Sequence, residues 1–114
     1  MNKNIEVSTN QSGDIFIIRI KGDVTSVTGE VIEDAYQKLS PEGAQKILLC
    51  FDRECYINSG GIAVLIGMTS ESRKKGQKIG ITGISDHFRK IFDMVGLTRY
   101  TQVFPSEDAA IRDF

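Results

Sequence analysis

The apolar and polar positions alternate first in twos and later in threes and fours. Ile5-Glu6-Val7-Ser8 alternates strictly, which predicts a short strand after a frayed start at residues 1–4. Asn10-Gln11-Ser12-Gly13-Asp14 supplies turn residues, and the run Ile15–Ile20 (IFIIRI) predicts the second strand of a hairpin, closed by Lys21-Gly22-Asp23. Val31, Ile32, Ala35, Tyr36 and Leu39 form one helical stripe, predicting a helix from near Thr28 to about Leu39. Thr25, Ser26 and Thr28 are all candidate caps for it, and Ser40-Pro41-Glu42-Gly43 reads as the turn that follows.

Lys46 to Phe51 is a β-favouring run expected to be a buried strand. The period then changes. From Ser59, residues Ile62, Leu65, Ile66 and Thr69 fall at i, i+3, i+4 and i+7, predicting a helix to about Lys75 that buries Ile62, Leu65 and Ile66. Gly76 suits the residue after its end. Gln77 to Thr82 predicts a fourth strand, and Ser85 caps a third helix carrying Phe88, Ile91, Phe92 and Val95. Gly96 stops that helix, Arg99 to Phe104 predicts a fifth strand, and Ser106 caps a short last helix with Ala109, Ala110 and Ile111.

The predicted order is ββαβαβαβα. Strands alternating with helices after a hairpin imply an α/β domain, with a mixed, mostly parallel five-stranded sheet packed with four helices. The 114 residues suit one domain. In such sheets ligands and partners meet the protein beyond the carboxyl ends of the strands. Both Gly22-Asp23-Val24-Thr25 and Asn58-Ser59-Gly60-Gly61 are placed there.

Charge and cysteine content narrow the function. With 14 Lys and Arg against 15 Asp and Glu, the net charge of −1 argues against a general nucleic-acid binder. The densest basic cluster, Arg73-Lys74-Lys75, falls at a predicted helix C-terminus, where cations complement the dipole. Two cysteines and one histidine make neither a disulfide framework nor a zinc set, and Cys50 is expected to be a buried, reduced thiol. No apolar run reaches the ~20 residues of a membrane span and no signal peptide is evident, so a soluble cytoplasmic protein is expected.

The stretch Tyr56–Gly67 (YINSGGIAVLIG) carries the candidate chemistry. Asn58 or Ser59 can cap the helix that starts there. Gly60 and Gly61, without Cβ atoms, are expected to let something outside approach the helix N-terminus, where free N–H groups and the dipole favour an anion. A serine hydroxyl at that point can bind or carry a phosphate. A hydrolytic reading of Ser59 with His87 and an aspartate is weaker, because the motif is not G-x-S-x-G and His87 falls in the first turn of a surface helix. The glycines match neither a dinucleotide fingerprint nor a P-loop, so no enzyme activity and no cofactor are expected.

Residues 56–67 resemble the strand-to-helix signature of the STAS domain (sulfate transporter and anti-sigma factor antagonist), written roughly aromatic-hydrophobic-Asp-Ser-Ser/Ala-Gly-Leu. Gly22–Ile32 resembles that family's first turn and helix, and Arg89–Leu97 (RKIFDMVGL) its third helix. Asn58 stands where the family usually has Asp, Thr25 stands for the Asp of the first turn, and Cys50 replaces a frequently polar residue. The resemblance, to the small stand-alone bacterial form, implies an anti-sigma factor antagonist that frees a sigma factor for transcription. Its implied partners are an anti-sigma factor serine kinase of the histidine-kinase-like ATPase fold and a PP2C-type phosphatase. It further implies phosphorylation at Ser59, with Asp23, Thr25, Asn58, Ser59, Gly60 and Gly61 as the partner-binding edge of a monomer or weak dimer. The alternative is a non-switching interaction module, either a signalling scaffold or a small subunit docked on a transporter ATPase.

Overall fold

A computed structural model describes residues 5–39 and 43–114. The expected frayed start at residues 1–4, and the turn at 40–42, lie outside the described residues. Five strands, β1 (Ile5–Ser12), β2 (Ile15–Gly22), β3 (Lys46–Phe51), β4 (Lys78–Thr82) and β5 (Thr101–Val103), form one sheet in the order β1-β2-β3-β4-β5. β1 runs antiparallel to β2, and the other three pairings are parallel. Four helices complete the ββαβαβαβα order: α1 (Gly29–Leu39), α2 (Ser59–Lys74), α3 (Asp86–Met94) and α4 (Glu107–Asp113).

Alternation along the strands divides the core in two. Ile18 and Ile20 of β2, with Ile47, Leu49 and Phe51 of β3, meet Ile32 and Tyr36 of α1, Leu65 and Met68 of α2, and Phe88 and Phe92 of α3. The intervening residues Ile15, Ile17, Leu48 and Cys50 face the other way, under Phe104 and Ala110. Three helices therefore cover one face and α4 covers the other. Gly80 makes room for that second layer: a Cβ there would lie 3.0–3.1 Å from Phe114, Leu48 and Phe104.

The hairpin is longer than the pattern predicts. β1 continues through Ser12, and the turn is only Gly13-Asp14, with Gly13 at φ 60. A positive φ at the first of two loop residues is what a type II′ hairpin turn requires. The fifth strand is shorter than expected, because Gly96 (φ 82) is followed by a single 3-10 turn, Leu97–Arg99. Thr101 is fixed there by its hydroxyl, which donates to the Leu97 carbonyl.

The expected buried face of α2 is corrected. In α2 the buried residues are Gly61, Leu65, Met68, Thr69 and Ser72, while Ile62 is half-buried and Ile66 is 41% exposed. Of the apolar positions named on the last two helices, Val95 and Ile111 are exposed. Leu65, at 1% exposure, is the α2 side chain most clearly in the core. Leu65→Ala is expected to lower unfolding free energy by ~2–5 kcal/mol in urea titration. A change near zero would mean that α2 turns a different face to the sheet.

Candidate functional site

The chain leaving β3 is tied back to the end of β2. The Asp52 amide donates to the Ile20 carbonyl at 3.0 Å, and the Cys55 amide donates to Asp52. Val24 and Ile57 then form an isolated parallel bridge, in which the Val24 amide donates to Tyr56 (2.8 Å) and the Asn58 amide donates to Val24 (3.0 Å). Residues 22–25 and 56–59 are thus joined side by side at the carboxyl edge of the sheet.

Of the two candidate caps, Asn58 is the one used. Its Oδ1 accepts from the Gly61 amide at 2.9 Å, and its backbone carbonyl accepts from Ile62. Ser59 becomes the first residue of α2. It is exposed, and its hydroxyl makes no hydrogen bond among the described residues. The role of the glycines is also corrected. A Cβ on Gly61 would lie 2.3 Å from the Val24 carbonyl oxygen, and one on Gly60 would lie 3.0 Å from the Ser26 amide. What approaches the helix terminus closely is the protein's own β2–α1 loop.

Thr25 is half-buried and serves that loop. Its Oγ1 accepts from the Val27 and Thr28 amides at 3.2 and 3.1 Å, while its own amide donates to Thr28 Oγ1. Thr28 in turn donates to the Asp23 carbonyl at 2.6 Å. A threonine can do the capping work of an aspartate at this position. Its hydroxyl is committed to the turn, so Thr25 shapes the edge. Asp23 is exposed.

Two apolar residues at the same edge stand outside the partner-binding set expected from the sequence: Val27, 55% exposed, and Tyr56, 58% exposed. Tyr56 stands edge-on to the Phe88 ring with centroids 5.9 Å apart. An aromatic residue inside an otherwise polar loop is the signal that could have drawn attention to it.

The N-terminus of α2 differs electrostatically from those of the other helices. α1, α3 and α4 each carry an acidic residue in the first turn, namely Glu30, Asp86, and Glu107 with Asp108. α2 carries none, so no acidic side chain of its own first turn offsets the positive end of its dipole. Below the edge, burial pushes the Cys55 thiol pKa up, with Asp52 and Asp23 adding to the effect against backbone hydrogen bonds. Cys50, on the α4 side, is pushed up to about 12 by burial and then by Glu107. Glu107 also pairs with Arg19. Neither thiol is a nucleophile at neutral pH. His87 is exposed on α3 against the Phe88 ring and makes no hydrogen bond with Ser59. Among the described residues no group of three His, Cys, Asp or Glu is gathered to hold a metal ion. No helix among them is long and apolar enough to cross a membrane.

The family model of the STAS domain matches residues 6–110. The chain belongs to the STAS-domain family. The anti-sigma-B factor antagonist of Bacillus subtilis is 23% identical over 112 residues, spanning 98% of this chain and all of that protein. That of Staphylococcus aureus is 23% identical over 97 residues, spanning 85% and 88%. Among solved structures, an anti-sigma factor antagonist from Mycobacterium paratuberculosis superposes with a TM-score of 0.78 at 17% identity, over 96% of this chain and 95% of that one. Phosphorylated SpoIIAA from Bacillus superposes with a TM-score of 0.67 at 19% identity, covering 94% and 98%. This STAS domain therefore shares its fold with antagonists over nearly its whole length, and the relatives it matches are named as anti-sigma factor antagonists.

Proposed function

We propose that this STAS domain is an anti-sigma factor antagonist whose binding to an anti-sigma factor serine kinase is controlled by phosphorylation of Ser59. The observation that carries this reading is an exposed serine, with an uncommitted hydroxyl, at the first position of α2, the one α-helix among the described residues whose first turn has no acid. A phosphate there adds roughly −1.5 to −2 charge at pH 7. The unneutralised N-terminus of α2 accommodates that charge within the domain. A partner packed on the edge formed by Asp23, Asn58, Ser59 and Tyr56 would have to desolvate the dianion. The kinase is of the histidine-kinase-like ATPase fold, and a PP2C-type phosphatase restores the binding state. That a relative of the same fold has been solved in a phosphorylated form supports the reading.

The test is incubation of the full chain with the cognate kinase and ATP, with the modified residue located by mass spectrometry. Modification of wild type and none of Ser59→Ala is expected. An unmodified wild-type chain that still binds the kinase would instead indicate a permanent docking module.

Asn58 sets the rate of the cycle in this scheme. Its Oδ1 already holds the Gly61 amide, so an aspartate there would keep the cap with one oxygen and present the other to Ser59. A carboxylate can orient the hydroxyl or take its proton, which an amide cannot do at neutral pH. Charge at the helix N-terminus also adds ~0.3–1 kcal/mol. Asn58→Asp is expected to speed single-turnover phosphorylation and to raise Tm slightly. A rate equal to or below wild type would remove Asn58 from this role.

A further inference from the structure

A second surface lies farther along α2, on the side away from α1. Ile66, Val95, Leu97 and the Tyr100 ring line a groove of about 200 Å³ between α2 and the end of α3. Ile66, Val95 and Tyr100 are 41%, 45% and 50% exposed, and Met94 beside them is 83% exposed. Such a concentration of apolar side chains is unusual on a free surface and marks an interaction site.

Size and charge identify the occupant. Pockets for drug-sized ligands and cofactors run to roughly 300–1,000 Å³, so this one holds a single large side chain. That is the scale of an anchor residue in a protein interface. The only charged residue in its lining is Arg73, whose guanidinium lies 3.6 Å from the centroid of the Tyr100 ring and forms no ion pair among the described residues. Arg99 adds a second cation at the rim, its Cδ 4.0 Å from where a Cβ on Gly96 would sit. The neighbouring carboxylates are engaged elsewhere. Glu71 holds Gln37 and Lys75, and Asp93 holds Thr98 and Arg89. The site is an apolar slot with a cationic rim.

We infer that this groove docks an amphipathic helix of a partner protein, presenting one bulky aliphatic side chain to the slot and carboxylates to Arg73 and Arg99. Ile66 is seven residues beyond Ser59 on α2, a separation of about 10 Å along the axis and nearly two turns, so both lie on one outward face. A partner seated at the Ser59 edge can reach the groove, but the groove's chemistry does not depend on Ser59 being modified.

The test uses synthetic peptides and the isotope-labelled full chain followed by NMR. One peptide is an amphipathic helix with a leucine stripe flanked by glutamates; the second replaces the central leucine with alanine, and the third replaces every glutamate with lysine. Saturable shifts at Ile66, Val95, Gly96, Leu97 and Tyr100 are expected with the first. The leucine-to-alanine peptide is expected to bind about tenfold more weakly, as loss of a buried aliphatic side chain implies. Arg73→Glu, a substitution of an exposed residue, is expected to weaken the acidic peptide about fivefold and to favour the lysine peptide. Three results would overturn the proposal: no shifts at the groove, equal binding of the acidic and basic peptides, or concentration-dependent broadening there without peptide. The last would assign the groove to a second copy of this chain.

Discussion

Gly61→Ala is expected to destabilise the protein by about 3 kcal/mol or more, at the upper end of what overpacking costs. The added Cβ would stand 2.3 Å from the Val24 carbonyl oxygen and 2.7 Å from its carbon, both backbone atoms held by the bridge to Ile57. No rotamer change relieves that clash. Either the β2–α1 loop lifts away or the cap at Asn58 opens, and each breaks hydrogen bonds at the edge. An opposing effect exists, because alanine is a better helix former than glycine by roughly 0.8–1.0 kcal/mol in a helix interior. It is too small to offset the clash. Gly67 isolates it: the residue is exposed in the same helix, and a Cβ there meets nothing within 4 Å. Gly67→Ala is therefore expected to raise stability by up to about 1 kcal/mol. Urea titrations of both variants check the pair. Equal effects would mean that the loop does not rest on α2 as described.

Ser59→Asp is expected to weaken binding to the cognate kinase-fold partner at least about tenfold, while Ser59→Ala stays within about threefold of wild type. Both remove the hydroxyl; only aspartate brings charge to the edge. The comparison is clean because Asn58, not Ser59, caps α2, so neither substitution removes the cap bond to Gly61. Aspartate at this position also complements the dipole, so its folded state is not at risk. Calorimetric titration with the purified partner measures both affinities. Equal values for the two variants would rule out charge at Ser59 as the controlling variable.

What could be read from the chain, and what could not, follows from how local each determinant is. Ser85 and Ser106 each accept a bond from the amide three residues on, and Asn58 does the same for Gly61, so these helix starts are decided within a few residues. The element order and the edge carrying Ser59 were legible for that reason. The phase of α2 was not. Its buried side includes Thr69, the last position of the predicted stripe, and also Met68 and Ser72, which lie off that stripe; Ser72 looks like a solvent residue until its partner is known. Thr69 donates to the Leu65 carbonyl, and Ser72 donates to Tyr36, whose own hydroxyl donates to Gln77. With Ser72 satisfied inside and Ile66 left outside, periodicity finds Leu65 and Thr69 but sets the buried face slightly off its true phase. The hairpin was under-read for a similar reason, since polar residues of β1 lie on a solvent side where alternation fades. Gly60 and Gly61 signalled a close approach, but only the fold shows that the approaching group is Val24 and Ser26.

The strand order β1-β2-β3-β4-β5 has one more implication. Open α/β sheets form their ligand crevices where the winding reverses, between two strands whose connections leave in opposite directions. Here every parallel connection advances the same way and lays its helix on the same face, so the winding never reverses. A fold wound in one direction has no switch-point crevice at that edge, and under the proposed function the signal at Ser59 would pass by contact between surfaces.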